Sequence, residues 1–219
     1  VVDSTTTFSF SSRIMNTILA VPIVQSMDRK EKGDYWFYDI DGKFTHRFSP
    51  RDRISFNVYK GRDKLFFHED KDYPFTSEQI SNTITDSEMA WGNTQVRAGW
   101  DHVYGPSLSS TAFLGYNRFA IKTDIREDFS LFAKDEQVRT ISDMEYKSGM
   151  DDVSFNIDFD LFQSNSHHIR FGVESIFHVF SPETYGLRSR DYGPDDVVKS
   201  DTTMSSAANN VIRAMEIST

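Results

Sequence analysis

A strict two-residue alternation over residues 35–59 constrains the fold of this chain more than any other feature. The even positions before residue 49 hold Trp36, Tyr38, Ile40, Gly42, Phe44, His46 and Phe48, and the odd positions hold Asp39, Asp41, Lys43, Thr45 and Arg47. Because successive side chains of a strand point to opposite faces, this pattern predicts a strand with one apolar and one charged face. Residues 49–52, Ser-Pro-Arg-Asp, predict a tight turn, after which Ile54, Phe56 and Val58 resume the apolar face. The segment 35–62 is therefore predicted to be an antiparallel hairpin.

The same alternation recurs and predicts two further hairpins, at about 91–123 and 151–180. Residues 5–13 read as a first strand, and 211–219 read as the start of an eighth. In the strand 109–123 the apolar parity changes near Asn117 and Arg118, which predicts a β-bulge. These observations predict an all-β, antiparallel chain of about seven or eight strands, cut partway through its sheet.

The predicted strands are joined alternately by short turns and by long connectors. Turns of about five residues or fewer alternate with connectors predicted at about 14–33, 64–90, 124–149 and 181–210. Connectors this long are uncommon in compact soluble domains. Outer-membrane barrels combine short periplasmic turns, long extracellular loops and aromatic girdles at the membrane interfaces. The aromatic side chains near the short turns are Phe44, Phe48, Trp100, Tyr104, Phe159 and Phe162. The pattern favours an up-and-down transmembrane β-barrel, and a soluble β-sandwich with one wet face remains the alternative.

Composition narrows the class of protein without excluding a membrane. The mean hydropathy is −0.50, and no apolar run approaches the roughly 18 residues of a membrane helix. Barrel strands also have low average hydropathy, because only every second residue faces lipid. The net charge of −9 argues against a nucleic-acid partner, and zero cysteines exclude disulfides and thiolate metal sites.

The acidic and histidine motifs do not predict a catalytic or metal site. The run 39–42, Asp-Ile-Asp-Gly, begins like a calcium loop, but Pro50 stands where an EF-hand requires glutamate. The pair His167 and His168 has no partner at metal-ligand spacing. The paired acids Asp151–Asp152 and Asp158/Asp160 fit a hydrated strand face better than glycoside chemistry. We therefore predict no enzyme activity, no cofactor, and no catalytic or metal residue.

We expect the two faces of the strands to lie in different environments. The polar face is expected to line a hydrated lumen, with Asp39, Asp41, Lys43, Arg47, Asn57, Arg97, Asp101, Asp158, Asp160, Arg170 and Glu174. The apolar face is expected to meet lipid, so Phe155→Arg should be costly and Asn156→Arg mild. Aromatics in the connectors either bind a ligand or fold the loops onto one another, and the ligand-contacting residues stay unassigned. They are Phe66, Phe67, Tyr73, Phe75, Phe129 and Phe132.

Two runs carry a resemblance to a known family. Residues 37–65, FYDIDGKFTHRFSPRDRISFNVYKGRDKL, and residues 91–119, WGNTQVRAGWDHVYGPSLSSTAFLGYNRF, resemble barrel hairpins of TonB-dependent outer-membrane receptors. The type resembled carries a carboxypeptidase-regulatory-like extension. The resemblance covers most of residues 5–180 and implies a 22-stranded barrel filled by a plug, with a TonB box near the N-terminus. This sequence shows neither plug nor TonB box, so we expect it to be about a third of the barrel wall.

The resemblance implies energy-coupled uptake of a nutrient across the outer membrane of a Gram-negative cell. The implied partners are membrane lipid, TonB acting through a plug outside this sequence, a surface lipoprotein, and the nutrient. That nutrient is left open among siderophores, oligosaccharides, peptides and cobalamins. Two alternatives stay open: a small eight-stranded structural or adhesive outer-membrane barrel, and a soluble sandwich that binds carbohydrate or protein.

Overall fold

The chain folds as one layer of antiparallel β-sheet. The computed structural model describes residues 5–16, 30–76, 79–133, 136–164, 167–207 and 211–219. The strands are β1 (Thr6–Asn16), β2 (Glu31–Arg47), β3 (Asp52–Thr76), β4 (Gln79–Gly105), β5 (Leu108–Ala133), β6 (Glu136–Ser164), β7 (His167–Tyr192), β8 (Val198–Ala207) and β9 (Ile212–Ser218). No helix occurs in these residues, which confirms the all-β class.

The strands follow an up-and-down order in which each pairs with its neighbour in sequence from β1 to β8. The short β9 pairs with residues 174–180 of β7, while β8 pairs with residues 184–192 of the same strand. Together β8 and β9 occupy the position of one returning strand. In the described residues β1 pairs only with β2, so the sheet is open and does not close as an eight-stranded barrel.

Five of the strands are far longer than the sequence pattern predicted. Strands β3 to β7 contain 25 to 29 residues each, whereas strands usually have about 5–6. The segments 64–90 and 124–149 were expected to be loops, but they are strand over all their described residues. Most of 181–210 is likewise strand, in β7 and β8, and of 14–33 the described residues lie in or beside β1 and β2. The predicted hairpins 35–62, 91–123 and 151–180 are therefore only the parts of longer hairpins that lie nearest the short turns.

Short turns close one end of the sheet as expected. In the first turn the Ser49 hydroxyl accepts hydrogen bonds at 3.1 Å from the backbone N–H groups of Arg51 and Asp52. Val103 N donates to Arg51 O, and Phe162 N donates to Ser107 O. The turns at Pro50 and Pro106 therefore lie at the same end, beside the ends of β4 and β6. Asn165 lies outside the described residues.

The strand register defines two faces, which we name after two neighbouring residues. Cross-strand partners share a face, so the Phe155 face carries the even residues of β1 to β5 and the odd residues of β6. The Asn156 face carries the others. We call the half of the sheet nearer the Pro50 turn the lower half, and the rest the upper half. The pairing of β5 with β6 has no register shift at Asn117 and Arg118, so the predicted bulge is wrong.

The sheet has almost no core of its own. Among the described residues only Ala90 and Ile141 are buried hydrophobic side chains, and they are 6% and 4% exposed. Within the described part of the chain, extensive contacts between elements occur only between hydrogen-bonded neighbours. A β-sandwich would bury one face of this sheet under a second layer, and the described residues provide no second layer.

Candidate functional site

The lower half of the Phe155 face is a continuous apolar band. Its upper limit is a row of directly paired side chains, which are Val58, Val96, Tyr116, Val153, Phe177 and Met215. Side chains of the band are open to the surroundings: Leu114 is 57% exposed, Phe155 45% and Phe171 52%. Monomeric soluble proteins rarely expose a contiguous apolar area of this kind. The band therefore requires an apolar partner or an apolar solvent.

Aromatic rings gather at the lower edge of this band, beside the short turns. The Tyr104 and Phe159 ring centroids are 6.4 Å apart, and Phe159 stacks on Phe171 at 5.3 Å. Trp100 Nε1 donates to Asp52 Oδ1 at 3.2 Å, so its apolar body lies in the band while its N–H reaches the polar turn. Phe162 was expected in this group, but it faces the other way and stacks on His168.

The lower half of the Asn156 face is mainly polar. All eleven residues expected on the charged face lie on the Asn156 face, ten of them in its lower half and Asp39 one row higher, in the row of Phe119. Its charges pair across strands: Arg13 with Asp39 at 2.8 Å, Arg53 with Asp101 at 2.8 Å, and Arg170 with Asp158 at 3.2 Å. Cross-strand ion pairs of this kind stabilise a wet sheet face. They also occupy Asp39 of the calcium-like run and Asp158 of the paired acids.

The remaining motif residues are likewise separated or paired. Asp151 and Asp152 project from opposite faces; Asp151 accepts from the Tyr116 hydroxyl, and Asp152 pairs with His178 at 2.7 Å. His168 pairs with Asp160 at 2.8 Å. Among the described residues, no group of three or more His, Cys, Asp or Glu side chains could hold a metal ion.

Both faces exchange character at the same level of the sheet. On the Phe155 face, the row above Val58 and Val96 contains Lys60, Thr94, Arg118 and Asp151. On the Asn156 face, Asn117, Asp152 and His178 form one row, and the next row upward is Phe119, Met150, Phe180 and Ile212. The backbone ladder of β4 and β5 continues through this level without a shift. The environment of the side chains therefore changes here while the backbone does not.

The upper half of the Phe155 face is a dense network of ion pairs. Asp128 accepts two hydrogen bonds from Arg139, at 2.9 and 2.6 Å, and Arg139 also reaches Asp196 at 3.3 Å. The pKa of Asp128 is lowered, chiefly by those hydrogen bonds from Arg139. Arg188 makes a similar two-bond pair with Asp201, at 2.9 and 2.6 Å. Paired charges at this density indicate a water-facing surface.

The upper half of the Asn156 face is rich in aromatic side chains, which lie among polar ones such as the ion pair of Lys71 with Glu69, and the sequence pattern did not identify it. Its ring-bearing residues are Tyr35, Phe37, Phe67, Tyr73, Trp91, Phe119, Phe129, Tyr146, Phe180 and Tyr185. Tyr35 packs against Trp91 with ring centroids 6.4 Å apart, and its hydroxyl donates to Asp63, which raises the pKa of Tyr35. In β5 a signal was present in the sequence, because Phe119, Ile121, Ile125 and Phe129 continue the alternation at odd positions.

The connector aromatics divide between the two faces. Phe67, Tyr73 and Phe129 lie on the Asn156 face, whereas Phe66 and Phe132 lie on the Phe155 face. The side chain of Phe75 lies outside the described residues. The structure therefore does not bring these six residues into one binding cluster.

No family model and no curated protein matches the chain. The described residues contain no helix that is long and apolar enough to cross a membrane.

Proposed function

We propose that this chain is part of the wall of an outer-membrane, TonB-dependent receptor that takes up a nutrient in Gram-negative cells. The observation that carries the proposal is the exchange of apolar and charged character at one level of the sheet. A barrel wall that leaves a bilayer for water requires such a change on its outer face.

The height of the apolar band supports a membrane span. In β6 the band runs from Val153 to Leu161, which is nine residues. At about 3.3 Å per residue this is about 30 Å along the strand, and about 23 Å along a barrel axis if the strand tilts by about 40°. Outer-membrane barrels expose an apolar band about 25 Å tall. The stagger of successive short turns also fits tilted strands.

The other three surfaces fit the same assignment. The lower Asn156 face, with its cross-strand ion pairs, would line the hydrated lumen. The charged upper Phe155 face would stand in water outside the cell. The aromatic upper Asn156 face would line the outer mouth of the barrel, where Trp91, Phe119 and Tyr146 would meet the incoming nutrient. Aromatic side chains with a few polar groups are typical of ligand sites.

A soluble sandwich and a small eight-stranded barrel each disagree with one feature of the sheet. A soluble sandwich would keep its apolar side on one face along the whole strand, and this sheet exchanges sides midway. A small eight-stranded barrel would pair β1 with the last strand, and the described residues show an open sheet. A larger barrel that continues through further strands satisfies both observations, because closure leaves no edge unpaired. The full 22-stranded barrel, its plug and the coupling to TonB are proposed from the family resemblance.

Uptake by the full-length protein in intact cells tests this function. Labelled ferric siderophores, oligosaccharides, peptides and cobalamin would be offered to cells with functional TonB and to cells without it. We expect one class to accumulate only when TonB and a proton-motive force are present. Equal accumulation in both strains would indicate a passive pore, and no accumulation of any class would favour a structural barrel.

A further inference from the structure

A shallow cavity lies on the Phe155 face directly above the apolar band. Its floor is made by small residues on three adjacent strands, Gly92, Ala120 and Gly149, which are directly paired. The cavity has a volume of about 460 Å³, within the range of small-ligand sites. These small residues leave the backbone itself as the floor of the cavity, and the carbonyl oxygens of Gly61 and Phe119 would lie 2.6 and 3.0 Å from a Cβ on Gly92 and Gly149.

Cations surround this floor. Lys60 and Arg62 come from β3, Arg118 and Lys122 from β5, and Lys147 from β6. Asp151 is the one carboxylate in the lining, and it accepts from Tyr116 and lies 3.8 Å from Arg118. The lining therefore has five positive charges and one negative charge, on a chain whose net charge is −9. This local excess of positive charge attracts an anion.

Two of the cations are available to a ligand. Lys122 pairs with Asp124 at 2.7 Å, and Lys147 pairs with Glu145 at 2.6 Å, both acids lying above the cavity. Lys60 and Arg62 form no ion pair with any side chain in the described part of the chain. An arginine fork and a lysine ammonium side by side form a typical recognition pair for phosphate.

We propose that this cavity binds the phosphate of an anionic lipid headgroup. The inference depends on the proposed function, because the cavity lies at the lipid headgroups only if the band below it spans the membrane. Lys60 is two residues from Val58 in the top row of the band, which is about 7 Å along the strand. A lipid with its phosphate on Lys60 and Arg62 would lay its acyl chains over Val58, Val96 and Tyr116.

Lipid binding by the full-length protein in detergent micelles tests the proposal by native mass spectrometry. The probes are dioleoyl phosphatidic acid, neutral dioleoyl phosphatidylcholine, and inorganic phosphate. We expect phosphatidic acid to bind in preference to phosphatidylcholine. The variant Lys60→Gln/Arg62→Gln should lose about fivefold in affinity for each charge removed. The control Lys43→Gln/Arg47→Gln makes the same charge change on the opposite face and should retain the preference.

Each other outcome overturns the proposal in an identifiable way. Equal binding of the two lipids, or equal loss in both double variants, excludes this cavity as a phosphate site. Inorganic phosphate that displaces the lipid at comparable concentration would instead indicate a site for a soluble phosphate. If an arginine scan of Val153, Phe155 and Ile157 shows that the band does not lie in a membrane, the proposed function is rejected, and this proposal with it. If the band lies in a membrane and the lipid preference is absent, only this inference fails.

Discussion

An arginine scan down one strand tests whether the apolar band lies in hydrocarbon. Val153, Phe155 and Ile157 project from the same face of β6 at increasing distance below the charged row. Arginine on a lipid-facing barrel site costs about 2–4 kcal/mol at the bilayer midplane and about 0–1 near an interface. Ile157 is the midpoint of the nine-residue span, so Ile157→Arg should cost about 3 kcal/mol. Phe155→Arg should cost about 2 kcal/mol and Val153→Arg about 1 kcal/mol or less.

The assay is denaturant unfolding of the full-length protein in liposomes, with Gln95→Arg as the matched control. Gln95 is exposed on the Asn156 face, one residue from Val96, so its replacement should change the free energy of unfolding by less than about 0.5 kcal/mol. Asn156 is a poorer control than its sequence position indicated, because it is 9% exposed and its Oδ1 is buried without a hydrogen-bond partner in the described residues. Costs that do not increase from Val153 to Ile157, or an Ile157→Arg cost that matches the Gln95→Arg cost, would refute the lipid assignment.

Two further predictions concern the glycine floor of the cavity and the upper hairpin tips. A Cβ on Gly92 would lie 2.6 Å from Gly61 O, whereas a Cβ on Gly42 would meet nothing within 4 Å. Gly92→Ala should therefore lower the free energy of unfolding by about 1–3 kcal/mol, and Gly42→Ala should not. The same unfolding assay measures both variants. Arg139→Met should cost about 1 kcal/mol of local stability, seen as faster amide hydrogen exchange near Asp128, and unchanged exchange would contradict it. The pKa of Asp128 is lowered in the folded protein. The stabilisation by the Arg139 pair is therefore present above the ordinary pKa of 3.8 and is lost as pH falls through the lowered pKa. Arg139→Met should remove that acid sensitivity.

The sequence predicted the lower half of the sheet well because one rule governs it. Between the short turns and the level of Asn117, the strands place mainly apolar side chains on the Phe155 face and mainly polar ones on the Asn156 face, with Phe113 and Ile176 as apolar exceptions on the Asn156 face. A strand period of two therefore identified the strands, their faces and the turns at Pro50 and Pro106. The polar side chains of β2, β4 and β6 were assigned to one common face, and the register confirms it.

The upper half was predicted wrongly because the apolar parity reverses there. Residues 119–131 place Phe119, Ile121, Ile125 and Phe129 at odd positions, whereas Ala112, Leu114 and Tyr116 are at even ones. From the sequence alone, this change of parity predicts a bulge followed by a loop. A bulge adds one residue and shifts the pairing, but β5 and β6 keep their register through Asn117 and Arg118. The sequence alone does not distinguish a shifted backbone from a changed environment, since both move apolar side chains to the other parity.

The exchange of faces also limits what can cover the upper aromatic surface. Backbone hydrogen bonds are the same in both halves, so the difference between them arises from what each face contacts. On the lower Phe155 face the contact we propose is lipid, which is fluid and needs no matching surface. The upper Asn156 face carries Phe119 and Phe180, each more than a third exposed, at a level where the opposite face is charged. Lipid cannot cover this surface if its reverse side stands in water. Under the proposed function, the remaining occupants are other segments of the same protein or the transported ligand.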